Sequence, residues 1–483
     1  QISTRYIENI SAGDLAIQGL KGLSSIDPTI QINKRHNTIS IGSSLIKHRI
    51  YKTPITEDTL GWAKLIVRVI ANNQRDSEIF RLTKMSRIYE AIFDGSLSSL
   101  DRFSKYTNEK NAQKNREKRS GFGGIGIRFK ISKMGVLVTQ VFTKSPAHKA
   151  GIKSGDIITH VNENWLKHIK YIDAQQYFRG KIGSIIDLKL LRPSTKSSKK
   201  QTFLSYNLSI KRNRIITPTT SYSLRNNILY IEVTSFNSKT SANLAKDIKD
   251  GLKSADVDSA QNVRGIILDL RGNPGGLLKQ AIKVSNLFLF DGKIITTKGR
   301  HPRSINDYLA DGSDLTKGLP IVVLINGRSA SAAEIVAAAL QDHARAVIVG
   351  SGSFGKGTVQ NIIQLPNAGE LAITWSRFQT PSGYYLHSIG VLPSICVTSS
   401  KKSNAMEYIY SALNKTTQII RARRAWLTSS ISDKLGKERL KKICPMTNKK
   451  NSVDIQIADR LLLNDLLYHK FIALNTSIQP SSN

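Results

Sequence analysis

The sequence predicts a multi-domain α+β protein, in which a Gly-rich, β-rich domain is joined to an α/β domain between helical N- and C-terminal regions. Three observations predict it. Residues 319–327 form an apolar run of strand length ending in the turn pair Asn326-Gly327, followed by an Ala-rich helix former at 332–341 and a second apolar strand at 346–350. Residues 121–129 are Gly-rich and precede an apolar strand at 135–141. Helix-period apolar residues recur at 51–73, 87–99, 405–426 and 455–472.

Residues 1–118 read as mostly helical, the stretch before about residue 40 being polar and poorly patterned. Residues 119–192 carry the β-rich domain, with a helix at 173–179, a strand at 185–191 and an exposed basic loop at 192–201. Residues 202–398 make the α/β domain, opening with strands at 228–233 and 265–270. From 399 to 483 the pattern is helical again. No internal repeat stands out, and no apolar run reaches the roughly 18 residues of a membrane span.

The chemistry concentrates at the end of the 319–327 strand. Ser329-Ala330-Ser331-Ala332-Ala333-Glu334 places serines at a loop-to-helix junction, and Gly355-Lys356-Gly357-Thr358 follows the next strand. A serine there has its hydroxyl beside N–H groups that carry partial positive charge, suited to attack on a carbonyl. Either Ser329 or Ser331 could equally be a plain helix N-cap. A phosphate loop is excluded by register, because Gly357 separates Lys356 from Thr358. A serine hydroxyl needs a base, and a lysine can be one only if burial disfavours its ammonium. Phe354, Val359 and Ile362 supply apolar neighbours, no acid lies between Arg345 and Leu365, and Gln360 offers a neutral carbonyl to orient the amine.

Among the nine histidines, His343 lies too far along its helix from Ser331 to serve as base, and His387 stays in reserve. No His/Cys spacing fits a metal, so neither metal nor other cofactor is expected.

The run 326–360, with Thr380-Pro381-Ser382-Gly383 and Gly390-Val391-Leu392-Pro393, resembles the C-terminal processing (tail-specific) serine proteases. That resemblance implies a crotonase-like ββα catalytic domain, Ser331 as nucleophile, Lys356 as general base and Gln360 as its support. Residues 269–276, Asp-Leu-Arg-Gly-Asn-Pro-Gly-Gly, match the family's upstream segment. They imply an oxyanion hole built from the N–H of Ala332 and of either Gly275 or Gly276. Ser98-Ser99-Leu100-Asp101 is similar to the family's S-L-D-P segment, with Arg102 in place of the proline. The likeness covers about residues 88–397.

Upstream, residues 121–129, the strand 135–141, Ser145-Pro146-Ala147 with Ala150-Gly151, and Gly155-Asp156 with Ile158 resemble a PDZ domain in order. Such domains take a peptide C-terminus by strand addition, loop N–H groups gripping its carboxylate. Gly124, Ile125, Gly126 and Ile127 are the expected loop, and proteins or peptides with free apolar C-termini the expected partners. An ordinary Gly-rich hairpin is the plainer alternative. For the whole chain, the alternatives are a catalytically inactive PDZ scaffold and a small-molecule esterase or amidase.

The 483 residues carry a net charge of +36, from 71 Lys+Arg against 35 Asp+Glu, with 40% hydrophobic content. The excess is spread along the chain and reads as compositional drift. Basic clusters at 105–119, 196–200, 421–424 and 434–442 read as solvated helix faces and a loop tip, without aromatics to stack bases. No specific nucleic-acid partner is expected, while association with an anionic membrane surface stays open. By family analogy, the helical ends are candidate arms of a homodimer or a clamp around substrate. Cys396 and Cys444 imply no disulfide framework, and nothing nearby argues for a single bridge. The chain begins at Gln1; a removed signal segment would make the protein extracytoplasmic, in the periplasm or cell envelope.

Overall fold

A computed structural model describes residues 1–43, 48–194, 202–258, 262–312, 314–398, 404–428 and 433–476. The chain forms two compact units, one of residues 114–218 with 237–239, the other of residues 1–113, 219–236 and 240–483.

The smaller unit is built on an antiparallel sheet ordered Phe203–Lys211, Ile185–Pro193, Ile157–Val161, Gly135–Val141 and Ile127–Ser132. The helix Tyr171–Phe178 contributes Ala174 and Phe178 to a core with Val136, Val138, Ile158 and Leu188. The strand Phe203–Lys211, expected in the α/β domain, instead pairs with Ile185–Pro193 along its whole length. The β-rich unit therefore runs to residue 218. This edge strand alternates Leu204, Tyr206, Leu208 and Ile210 with polar residues but buries only Ile210, so its pattern marks a strand without saying which sheet it joins. The basic cluster at 196–200 lies outside the described residues.

The larger unit centres on a six-stranded sheet ordered Thr220–Arg225, Ile228–Val233, Gly265–Asp269, Ile321–Ile325, Val347–Gly350 and Ile395–Cys396, parallel after its first pair. Both faces are covered. Val323 and Ile325 join the core with the helix Ala332–Asp342, while Val322 and Leu324 meet Ile409, Leu461 and Phe471 from the C-terminal helices. Burial on both faces explains the unbroken apolar runs of these strands, since alternate residues face opposite sides. A second, antiparallel sheet contains Lys293–Lys298, Thr358–Gln364 and Glu370–Gln379, and Lys105–Thr107 joins its last strand.

The N-terminal region differs from its polar reading. Residues before 40 include the helix Ala12–Lys21 and the strand Gln31–Arg35, the latter in a three-stranded sheet. Tyr6 is buried, and Ile7 N–H donates to Thr374 O at 3.0 Å. These contacts are long-range, so local pattern could not announce them. Two basic clusters are likewise less solvated than expected. Arg423 is buried with its guanidinium on Asn475 Oδ1 at 2.6 Å, and Lys437 is buried on the helix Lys434–Lys441.

Cys396 and Cys444 are joined in a disulfide. The chain beyond Cys444 then braces two loops of the parallel sheet. Thr447 O accepts from Gly327 N–H at 2.7 Å, and Thr447 N–H donates to Ser351 Oγ at 3.1 Å.

Arg271 ties the carboxyl end of Gly265–Asp269 to the helix Ser452–Leu462. Its buried guanidinium holds Asp269 at 2.7 Å and Asp454 at 2.9 Å. Removing one member of a buried ionic cluster strands its partners' charge, a cost of about 3–5 kcal/mol. Arg271→Ala is expected to lower the unfolding free energy by about that amount, read as a lower denaturation midpoint in urea.

Candidate active site

Ser331 sits at the junction between the strand Ile321–Ile325 and the helix Ala332–Asp342 with φ 56° and ψ −112°. Positive φ is uncommon for a residue with a side chain and costs about 1–3 kcal/mol. The junction is fixed by Ser329, which is fully buried and donates from Oγ to Leu270 O at 2.8 Å while accepting from Asn326 N–H. That separates the two serines: Ser329 is structural, and Ser331 is only half-buried.

Gly275 approaches this elbow closely. A Cβ on it would stand 2.6 Å from Ala330 O and 2.9 Å from Ser331 Cβ, and its φ is +92°. Its N–H donates to Asn273 Oδ1 at 2.8 Å. Among the described residues the N–H groups of Gly276 and Ala332 have no hydrogen-bond partner. Ala332 owes this to its place as first residue of the helix.

Lys356 lies on the loop leading into Thr358–Gln364. Both Lys356 N–H and Ser331 N–H donate to one oxygen, Glu334 Oε2, at 2.9 and 2.6 Å. The other oxygen of Glu334 accepts from Gly355 N–H at 2.6 Å and Ser353 Oγ at 2.5 Å. Glu334 is fully buried; burial pushes its carboxyl above the usual range, against four hydrogen bonds that favour the anion. The sequence showed Glu334 only as the last residue of a motif, and its role as the anchor of both loops was not read there.

The Lys356 amine lies 5.2 Å from the centroid of the Phe103 ring, and among the described residues it has no ion pair or hydrogen bond. Burial lowers its pKa first, and the charge of Lys105 lowers it further; Glu334 and Asp101 pull the other way. The strand Lys105–Thr107 brings this N-terminal segment in. Asp101 accepts from Thr374 Oγ1 at 2.8 Å, Ser104 Oγ at 2.7 Å and Phe103 N–H at 2.8 Å, so its charge is spent on positioning.

Gln360, two residues beyond Thr358, donates its amide to Thr358 Oγ1 at 2.9 Å and Thr374 Oγ1 at 3.4 Å. His387 packs its backbone against Gly357, and its ring meets Phe103 edge-on at 6.1 Å. Burial and the charge of Arg377 push its pKa down to about 4. His343 bonds Lys293 O at 2.7 Å, and Asp342 accepts from Ser382.

In the smaller unit, Ile125, Gly126 and Ile127 line a groove of about 350 Å³ between the strand Ile127–Ser132 and the helix Tyr171–Phe178, with Phe129 and Phe178 beside them. Gly126 has φ +87°, and the N–H groups of Ile125 and Gly126 lack partners among the described residues. Gly124 is outside the groove lining, paired with Asn213.

Residues 227–397 match the model of peptidase family S41, and residues 123–203 match the PDZ domain model. A carboxy-terminal-processing protease of Bartonella bacilliformis is 38% identical over 312 residues, 64% of this chain and 70% of that one. The carboxy-terminal processing protease CtpA of Bacillus subtilis is 34% identical over 328 residues, 67% of each chain. A solved photosystem II D1 C-terminal processing protease aligns with 78% of this chain and 92% of its own, at 23% identity and a TM-score of 0.38. Relatives of this identity and extent, around a serine elbow and a buried lysine, make the conclusion plain: the chain is a serine protease belonging to the carboxy-terminal-processing proteases of peptidase family S41, with a PDZ domain ahead of its catalytic domain.

Proposed function

We propose that this protein grips the free C-terminus of a protein substrate in its PDZ groove and cleaves the chain near that end with a Ser331–Lys356 dyad. The observation that carries the reading is the single Glu334 oxygen shared by the N–H groups of both residues. It holds nucleophile loop and base loop to one buried point.

Lys356, whose burial favours the neutral amine, takes the proton of Ser331 Oγ as that oxygen attacks the scissile carbonyl carbon. The carbonyl oxygen becomes an oxyanion facing the N–H groups of Ala332 and Gly276. Gly276 is favoured over Gly275, whose N–H is already given to Asn273. The protonated amine then returns its proton to the leaving nitrogen, and water repeats the sequence on the acyl-enzyme. Gln360 fixes Thr358 at the start of the strand that follows the lysine.

A buried lysine without an ion pair weakens a fold, and an inactive PDZ scaffold would gain nothing from one. An esterase of small molecules has no use for the tail groove. The disulfide between Cys396 and Cys444 favours an extracytoplasmic setting, where such bonds persist.

Ser331→Ala and Lys356→Ala are each expected to abolish cleavage of an unfolded polypeptide while thermal unfolding stays cooperative, since nucleophile and base act as one unit. For the wild type, kcat/KM should be full where Lys356 is neutral and fall as pH drops through its pKa. Burial sets that fall below the ordinary lysine range. A profile flat from mildly acidic to alkaline pH would remove Lys356 from this role.

Glu334→Gln keeps the shape but turns an acceptor into a donor facing backbone N–H groups. The expected result is a loss of about 10²-fold in kcat with little change in KM, the scale of an ångström-sized misplacement. Steady-state kinetics of the variant check it.

Amidating the substrate's C-terminus removes a charge-assisted hydrogen bond worth about 1.5–3 kcal/mol. Cleavage should slow by roughly one to two orders of magnitude. Equal cleavage of free and amidated tails by the intact protein would deny the PDZ groove this function.

A further inference from the structure

Beside the catalytic lysine stands a cation that neither the dyad nor the PDZ groove uses. Arg102 occupies the place where the family segment has proline. Its guanidinium carbon lies 4.7 Å from the centroid of Phe103 and 5.5 Å from that of Phe354, so two aromatic rings hold it. Phe103 is the ring that also carries the Lys356 amine, and Phe354 lies two residues before Lys356 on the same loop. Two distances on a shared ring keep the Arg102 guanidinium within about 10 Å of the base, the span of three extended residues.

The side chain is exposed, and among the described residues it makes no hydrogen bond or ion pair. The acids nearest to this cluster are already engaged. Asp101 gives its oxygens to Thr374, Ser104 and Phe103, and Glu334 accepts four bonds. Further cations lie nearby: Lys105 acts on Lys356, and the charge of Arg102 acts on Lys441 of the helix Lys434–Lys441, which also carries Glu438. A guanidinium held by aromatic contacts with its N–H donors unpaired is preorganised for the planar, two-oxygen geometry of a carboxylate.

We infer that Arg102 is a specificity-determining residue that binds a substrate carboxylate within about three residues of the scissile bond. The inference rests on the protease reading of the site. It predicts that this enzyme selects acidic cleavage contexts in addition to reading a chain end elsewhere. A side-chain carboxylate and a chain-terminal carboxylate placed close to the cut offer the same chemistry.

The test is a set of quenched fluorescent peptides with one scissile sequence and an amidated C-terminus. Glu, Gln or Lys is placed at each of the three positions on either side of the bond. At low ionic strength, Glu at one or more positions should raise kcat/KM about tenfold over Gln, and Lys should lower it. The preference should shrink in high salt, because an exposed pair is screened. Arg102→Glu should invert the order, and Arg102→Gln should flatten it. Each variant is referenced to its own Gln peptide, so a change in overall rate cancels.

A second set, with a free C-terminus three residues beyond the bond, tests whether a chain end serves as the carboxylate. A gain in either set that Arg102→Gln removes upholds the inference. Equal kcat/KM for Glu, Gln and Lys at every position with no gain in the second set overturns it, as does a wild-type preference that survives in both variants. Failure of the wild type to cleave any peptide would count against the protease reading itself.

Discussion

The active site hangs on one buried carboxylate. Glu334 makes no contact that the chemistry requires of it, yet its two oxygens gather four donors from two segments: the serine elbow and the loop that carries Ser353, Gly355 and Lys356. A carboxyl group enclosed in this way is costly unless its oxygens are hydrogen-bonded, and here all four donors stand within 2.9 Å. The arrangement is stiff because loosening any donor leaves a buried charge under-satisfied. The strain at Ser331, with its positive φ, is sustained by that stiffness.

The proposed base is managed in the opposite way. The Lys356 amine makes no ion pair among the described residues; it is laid over the face of Phe103 and shadowed by Lys105. An aromatic face attracts a cation only weakly compared with a carboxylate, so it can seat the amine without locking the proton on. Both partners of that environment come from the N-terminal region, through a three-residue strand added to the edge of Glu370–Gln379. The catalytic domain is thus incomplete without residues that precede the PDZ domain in the chain.

Much of this was legible in the sequence because it is local. The strand, elbow and helix from 319 to 342 and the lysine loop are each encoded by contiguous pattern, and the apolar runs declare a sheet buried on both sides. What escaped was set by distant contacts. Phe203–Lys211 alternates Leu204, Tyr206, Leu208 and Ile210 with polar residues, which marks a strand but not its partner, so only its pairing assigns it to the PDZ sheet. Glu334 reads as an ordinary first-turn acid, favourable at a helix N-terminus, until the lysine loop is seen to return to it. Gly275 and Gly276 differ only in where one N–H points, a matter of Asn273 and not of the glycines. Arg423 and Lys437 looked like solvent-facing charges because burial of a cation depends on partners and neighbours far along the chain.

The strap after Cys444 has a consequence for the order in which the enzyme becomes itself. The serine and lysine loops are complete in sequence by residue 360, but Thr447 ties together Gly327 and Ser351, which flank them, and Cys444 closes its bond to Cys396. Translation must therefore pass residue 447 before the bracing exists. During the interval, the growing chain carries Ser331 and Lys356 without the frame that aligns their loops. Alignment of the two loops thus waits on a segment made some ninety residues after the lysine loop itself, so their frame is assembled by the fold as a whole and not by the local chain.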